Sequence, residues 1–337
     1  LIFSSGRLIS TDILKFEAVP ISFYAVIGVI LTASIIAYPL AYVLDIPLLH
    51  SLLLGSAVPA TDPVAVGSIF QRFKIPEKLA LIVEGDSLFN DGTTVVLFHL
   101  ISSLVLIGAT FSLAETGASF VWPIAGAFIL GMGTGRAIAW LLEVWHDHHT
   151  FVPVTLTLIL ALLTYLLAED YFYVSGVVTV LMAAIVFVRK HHLRGEGKKN
   201  NENAKLLGSI WDYISILANS FSFFALGVET GIHPFNVSLL YVFVAIFVML
   251  ASRSFVIYTG GYILGFLDHP LPFTWQNILN SGSLRGAVSA ALILMIPHDY
   301  PYRETFLCLA FSMISFSLIF LTVLMQAYLK KIRPSRK

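Results

Sequence analysis

Charge is scarce in this chain. Only 12% of its 337 residues are Asp, Glu, Lys or Arg, against about 25% in a typical soluble domain. A soluble oxidoreductase or a nucleic-acid-binding domain is excluded on that ground. Net charge is lacking too. Twenty basic residues balance twenty acidic ones, so no global field attracts nucleic acid or acidic partners. Cysteine is nearly absent, and Cys308 alone cannot form an intramolecular disulfide. No strand precedes the glycine-rich run GAFILGMGTG (126–135), which excludes a phosphate-binding loop. Gly126, Gly131, Gly133 and Gly135 read instead as sites of close helix approach in a membrane. An initiating Met is missing, and LIFSSGRL (1–8) reads as the tail of a helix, so the expectation is a piece that lacks its N-terminus.

Apolar residues are abundant. They make up 57% of the chain, and mean hydropathy is +0.85. Apolar runs of about 20 residues, the length that crosses a bilayer as helix, recur throughout. We place ten segments at 19–44, 46–71, 79–109, 119–142, 151–168, 172–189, 206–228, 236–266, 273–297 and 303–329. The expected fold class is an all-α polytopic membrane protein. The polar run RKHHLRGEGKKNNENAK (189–205) is expected to be a connection.

Basic residues orient the segments. With the C-terminal KKIRPSRK assigned to the cytoplasm, alternation puts 16 of the 20 Lys and Arg on that side and only Arg303 on the other. Arg136, Arg253 and Arg285 remain inside segments. A missed or invented helix would scramble this split.

Two segments read as broken. VPATDP (58–63) sets Pro59 and Pro63 around a Thr–Asp pair, and proline removes a backbone donor and disfavours helix before it. NSGSLRG (280–286) places two glycines, two serines and an arginine in mid-segment. Backbone freed at membrane depth must line a cavity or pack in protein. By the alternation the two broken segments run in opposite directions, the pattern of inverted repeats around a midplane site.

Ionisable groups inside a membrane point to function. The candidates are Asp62, Glu84, Asp86, Asp91, Arg253 and Arg285, with Arg136 as a further one. Asp91 and Ser87 are four residues apart and share a helix face. With the unwound carbonyls of 58–62 they would make an all-oxygen site for a hard monovalent cation. Asp91 can also carry a proton, and a group that holds either H⁺ or a cation is the minimal chemistry of exchange. Asp86 lies about 140° around the helix from Asp91 and reads as one half of a buried ion pair with Arg253 or Arg285. Asp62 reads as the cap of the half-helix that follows the first break, with cation ligation as the alternative. Arg285 would balance half-helix dipoles. Glu84 is expected to meet water, the cluster His146, Asp147, His148 and His149 to be a solvated loop, and His99 to sit at a helix interface.

PATDPVAV (59–66), EGDSLFNDG (84–92), SRSFVIY (252–258) and LRGAVSAAL (284–292) together resemble the motifs of the monovalent cation/proton antiporter family, specifically its NhaP-type sodium/proton exchangers. The resemblance implies a homodimeric antiporter fold with inverted repeats and two broken, crossing helices. The whole chain, 1–337, would be one exchanger domain. Residues 19–109 and 236–329 would be its core halves, and 119–228 its dimerisation and linking helices. It also implies that Asp91 is the residue shared by cation and proton, that Ser87 and Thr61 ligate Na⁺, and that Asn90 marks electroneutral exchange. Asp62 and Asn90 would hold the broken helices together, and Arg253 would pair with the acid at 86. Two departures stand out. Asp86 replaces the family's usual Glu, and Ser4 or Ser5 stands where many NhaP-type members carry a Glu ligand.

The reading is thus an antiporter of Na⁺, with K⁺ or Li⁺ as alternatives, for H⁺. It is expected to be no enzyme, to need no cofactor and to have the bilayer and a second copy as its partners. It would be a multi-pass protein of the plasma (inner) membrane with its C-terminus in the cytoplasm. A passive cation channel and a non-transporting membrane sensor are the rivals. The broken inverted pair and the lack of a pore-loop repeat weigh against a channel.

Overall fold

A computed structural model of the chain describes residues 3, 17–73, 75–107, 113–144, 152–192, 198–232 and 237–332. Ser4, Ser5 and the His146–His149 cluster lie outside them. The described residues are almost entirely helical. We number the helices α1 (Ala18–Leu44), α2 (Leu48–Ala57), α3 (Pro63–Phe73), α4 (Glu77–Ser102), α5 (Leu113–Val144), α6 (Val152–Leu166), α7 (Gly176–His192), α8 (Lys198–Ile232), α9 (Leu239–Phe266), α10 (Phe273–Ser281), α11 (Ala287–Leu294) and α12 (Arg303–Ile332). Among the described residues seven helices are long and apolar enough to span a membrane: α1, α4 and α6 each with its π-helical extension, α5, α8, α9 and α12. The chain is an integral, multi-pass membrane protein.

Proline sets several boundaries. Pro47, Pro76 and Pro272 stand immediately before α2, α4 and α10. Pro63 occupies the first turn of α3, where its missing N–H costs nothing. Asp45, at φ 53°, turns the chain out of α1. One boundary differs from expectation. Helix α8 begins at Lys198, within the polar run expected to be a connection. Glu, Ala and Lys in NENAK are good helix formers, and hydropathy carries no information about a helix that extends beyond the apolar layer.

The chain divides into two compact units. One comprises 1–12 and 111–220, the other 13–110 and 221–337. The first is built on close helix approach. A Cβ at Gly131 of α5 would lie 2.4 Å from the Thr179 carbonyl oxygen of α7, and one at Gly135 would lie 2.6 Å from that of Ala183. Gly126 similarly meets Val174, whereas Gly133 faces open space. Arg136, on the same helix, is exposed rather than buried. Phe3, Leu160, Phe187 and Trp211 form this unit's apolar core, and the Trp211 indole donates to Thr157 Oγ1 at 3.1 Å.

The second unit holds both breaks. Tyr24, Val66, Phe70, Ile82, Val256 and Leu279 belong to its core, which joins α1, α3, α4, α9 and α10. At one end of it the Tyr300 hydroxyl meets His50 Nδ1 at 2.6 Å, linking the start of α2 to the loop before α12. Burial, and then the neighbouring Tyr302, hold the Tyr300 hydroxyl above its ordinary pKa. Arg303, 4% exposed, pairs with Glu229 at 2.7 Å.

Candidate functional site

The two breaks cross. Residues 58–62 leave the helical path between α2 and α3, and 282–286 do so between α10 and α11. Thr61 and Arg285 pair as a single antiparallel β-bridge, and the Asp62 N–H donates to the Leu284 carbonyl at 2.8 Å. A helix end leaves carbonyls without intrahelical donors. Those past the end of α2 are answered from the second broken helix. Ser289 Oγ lies 3.3 Å from the carbonyl oxygens of both Val58 and Ala60. Arg285 Nη1 donates to the Pro59 carbonyl at 2.8 Å.

Asp62 caps α3. Its Oδ1 accepts from the N–H groups of Val64 at 2.9 Å and Ala65 at 3.3 Å. This is the role its place after the break suggested, with a negative charge at the positive end of a half-helix. Arg285 is the counterpart. It is 1% exposed and sits against the carbonyl end of α2. Its own N–H donates to Ser317 Oγ at 3.0 Å. Ser317 opens a π-helical turn, Ser317–Leu321, in α12, and that turn aims its hydroxyl at the break.

Helix α4 supplies the acids. Asp86, Ser87, Asn90 and Asp91 are 1%, 2%, 0% and 5% exposed. Asn90 clasps the first break at both ends of its amide. Its Oδ1 accepts from the Thr61 N–H at 3.3 Å, and its Nδ2 donates to Thr61 Oγ1 at 2.9 Å. Thr61 Oγ1 in turn donates to Ser87 Oγ at 2.9 Å. Thr61, Ser87 and Asn90 are therefore one hydrogen-bonded group, and Asp91 follows Asn90 directly. Asp91 Oδ1 is buried and finds no hydrogen-bond donor among the described residues. A bare, buried carboxylate oxygen is expensive unless something positive or a proton meets it.

On another face of α4, Asp86 Oδ2 forms an ion pair with Arg253 Nη2 of α9. Spacing had left Arg253 and Arg285 as equal candidates, and the geometry separates them. Arg253 Nε also donates to Ser283 Oγ, in the second break, at 2.6 Å. No carboxylate lies within ion-pair distance of Arg285 among the described residues. The shorter Asp86 side chain does reach its arginine. Glu84 is half buried beside Gly67 of α3. His99 is exposed on α4, not at a helix interface.

Sequence reasoning did not pick out Ser289 and Ser317, or single out Ser283. Ser283 lay within the NSGSLRG run, where a hydroxyl beside a break was a usable signal. Ser317 carries no local signal, because serines in an apolar helix most often bond back to their own backbone. Ser317 does that as well, donating to the Ile314 carbonyl at 2.8 Å.

A family model for the transmembrane sodium/hydrogen exchanger matches residues 1–331. The chain is 31% identical over 316 residues to the Na(+)/H(+) antiporter NhaH of Halobacillus aidingensis, across 91% of this chain and 75% of that protein. It is 30% identical over 313 residues to the Na(+)/H(+) antiporter NhaG of Bacillus atrophaeus, across 92% of this chain. The chain spans only 58% of the length of NhaG. Its structure resembles that of the sodium proton antiporter MjNhaP1 from Methanocaldococcus jannaschii, with a TM-score of 0.80 at 20% identity over 98% of this chain and 82% of that one. At that identity the likeness speaks for the fold, which is the antiporter fold.

Proposed function

We propose that this chain, which belongs to the sodium/hydrogen exchanger family, exchanges Na⁺ for H⁺ at Asp91. The observation that carries this reading is the bare Asp91 Oδ1, buried beside the Thr61–Ser87–Asn90 group where one broken helix crosses another. Na⁺ is the cargo. Asp91 would give it a carboxylate oxygen, Ser87 a hydroxyl oxygen and Thr61 an oxygen of the unwound stretch, the donor set that broken helices offer a monovalent cation. Asp62 contributes by holding α3 in place rather than as a ligand, since its Oδ1 is engaged by two N–H groups.

The cycle follows from the cost of a bare charge. An ionised carboxylate passes an apolar barrier only at great expense. Asp91 therefore moves between the two faces when protonated or cation-loaded, and not when empty. Loading one species requires release of the other, which is exchange of one for one. Asp86 and Arg253 neutralise each other throughout, as do Asp62 and Arg285 against opposite half-helix ends, so only Asp91 changes its charge. The protein works as a homodimer in the plasma membrane with its C-terminus in the cytoplasm. The 16-to-1 split of basic residues supports that orientation.

The test is a pH gradient across vesicles containing the protein, followed by a fluorescent dye as Na⁺, K⁺ or Li⁺ is added. Na⁺ should collapse the gradient, and Asp91→Asn should abolish the response while the protein still inserts and stays folded. Exchange that persists in Asp91→Asn would sink the assignment.

A further inference from the structure

One turn beyond Asp91 on α4, a second oxygen stands without a partner. Thr94 is 0% exposed, and its Oγ1 finds no hydrogen-bond partner among the described residues. Other threonines in these helices behave differently. Thr93, Thr134, Thr179 and Thr230 each donate to the carbonyl four residues back, the usual way a hydroxyl is satisfied inside a helix. Thr94 does not return its hydroxyl to its own backbone. Thr32 of α1 has a bare hydroxyl as well, but GVILTASII (28–36) puts no ionisable residue within a turn of it. Thr94 has Asp91 one turn away, and Asp91 Oδ1 is bare too.

The neighbours of Thr94 fix the direction it faces. With Ser87 as zero, Asn90, Thr94 and Asp91 fall at about −60°, −20° and +40° around α4. Ser87 and Asn90 both hydrogen-bond Thr61 of the first break. This arc therefore faces the crossing, and Thr94 lies within it. Side chains on a helix lean toward its N-terminus, and residues three or four apart hold their Cβ atoms about 5–6 Å from each other. Thr94 thus leans toward Asp91, as Asp91 leans toward Ser87, and the carboxylate has a hydroxyl on each side. Ser87 and Thr94 are separated by about 10 Å along the axis. Ca²⁺, an ion of about the size of Na⁺, holds its oxygens at about 2.3–2.6 Å, so opposite ligands of one ion stand about 5 Å apart. One ion cannot touch both hydroxyls. It can sit between Asp91 and Ser87 or between Asp91 and Thr94. Helix α4 starts next to the basic stretch 72–78, so Thr94 is on the side of Asp91 away from the cytoplasm.

We propose that Thr94 forms a second, outer station for the transported cation, with Asp91 as the ligand common to both stations. The inference rests on exchange at Asp91. Na⁺ arriving from the outer face is taken first by Asp91 and Thr94. It then passes to Asp91, Ser87 and Thr61 as the carboxylate swings along the helix. A hydroxyl lends a lone pair and stays neutral, so Asp91 is still the only group whose charge changes.

The test is sided. Initial uptake of radioactive Na⁺ is measured in right-side-out and in everted membrane vesicles, for the wild type, Thr94→Val, Thr94→Ala and Thr94→Ser, with Asp91→Asn alongside. Thr94→Val keeps the shape of the side chain and removes the hydroxyl. It should raise the ratio of the outer-face KM to the cytoplasmic-face KM about tenfold, the scale of one lost contact to a charge. Thr94→Ala should do the same, and Thr94→Ser should keep the wild-type ratio. A general packing defect moves both KM values together and leaves the ratio where it was. A ratio unchanged in Thr94→Val and Thr94→Ala, or raised as much in Thr94→Ser, would overturn the outer station. Wild-type exchange that Asp91→Asn abolishes would leave the exchange reading standing in that case. Wild-type vesicles that take up no Na⁺ from either face would remove both.

Discussion

The two breaks solve one problem in opposite ways. The first, at 58–62, is a set of acceptors. Its carbonyls at 58, 59 and 60 all take hydrogen bonds from Ser289 and Arg285, and its one charge, Asp62, is spent on the N-terminus of α3. The second, at 282–286, supplies the charged donor. Arg285 donates through Nη1 to the Pro59 carbonyl and through its N–H to Ser317, while the Leu284 carbonyl and the Ser283 hydroxyl accept from Asp62 N–H and Arg253, and the helix after it has no side-chain cap. Acid stands at a positive helix end and base at a negative one, as the half-helix dipoles require. The breaks are therefore complementary rather than repeated. Removing one should orphan groups in the other.

That complementarity can be broken in graded steps, read by thermal unfolding in lipid nanodiscs. Asp86→Ala should cost most, about 3–5 kcal/mol, because it leaves Arg253 charged, buried and unpaired. It also releases the Arg253–Ser283 contact that anchors the second break. Replacing both partners, as Asp86→Ala with Arg253→Leu, should recover much of the loss, and a double-mutant cycle isolates the pair. Arg285→Leu comes next. It frees the Pro59 carbonyl and should cost about 1.5–3 kcal/mol, the range for a hydrogen bond with a charged donor. Asp62→Ala removes a helix cap and should cost about 1 kcal/mol, with Asp62→Ser restoring most of it. Ser289→Ala should be smallest, about 0.5–1 kcal/mol, since its two contacts are long and share one hydroxyl. Additive losses in Arg285→Leu with Asp62→Ala would mean that the breaks are independent supports, because coupled neighbours depart from additivity by about 0.5–3 kcal/mol.

Much of this was legible before any coordinates. Proline pairs and glycine–serine clusters are local backbone facts, so both breaks could be located to within a few residues from VPATDP and NSGSLRG. An acid inside an apolar run is equally local, which is why Asp62, Asp86 and Asp91 stood out. Partnership was not legible. Asp86 and Arg253 are 167 residues apart, and no spacing rule chooses Arg253 over Arg285. The Thr61–Arg285 bridge and the Ser289 contacts likewise join segments that the sequence separates widely. Arg136 and His99 were misplaced for a related reason. Both lie in spanning helices, but whether a helical position faces protein or lipid depends on neighbours that hydropathy does not name. Lys198 shows the opposite error, a helix that continues where the apolar signal stops.

The central claim is competition: Na⁺ and H⁺ take turns on one carboxylate. The most direct measurement is the KM for uptake of radioactive Na⁺ into vesicles, taken as external pH is lowered step by step, with Vmax recorded at each step. One proton displacing one cation predicts that KM rises toward about tenfold per pH unit at the acidic end while Vmax holds. A KM for Na⁺ that stays constant as pH falls would contradict the account, since proton and cation would then occupy different groups.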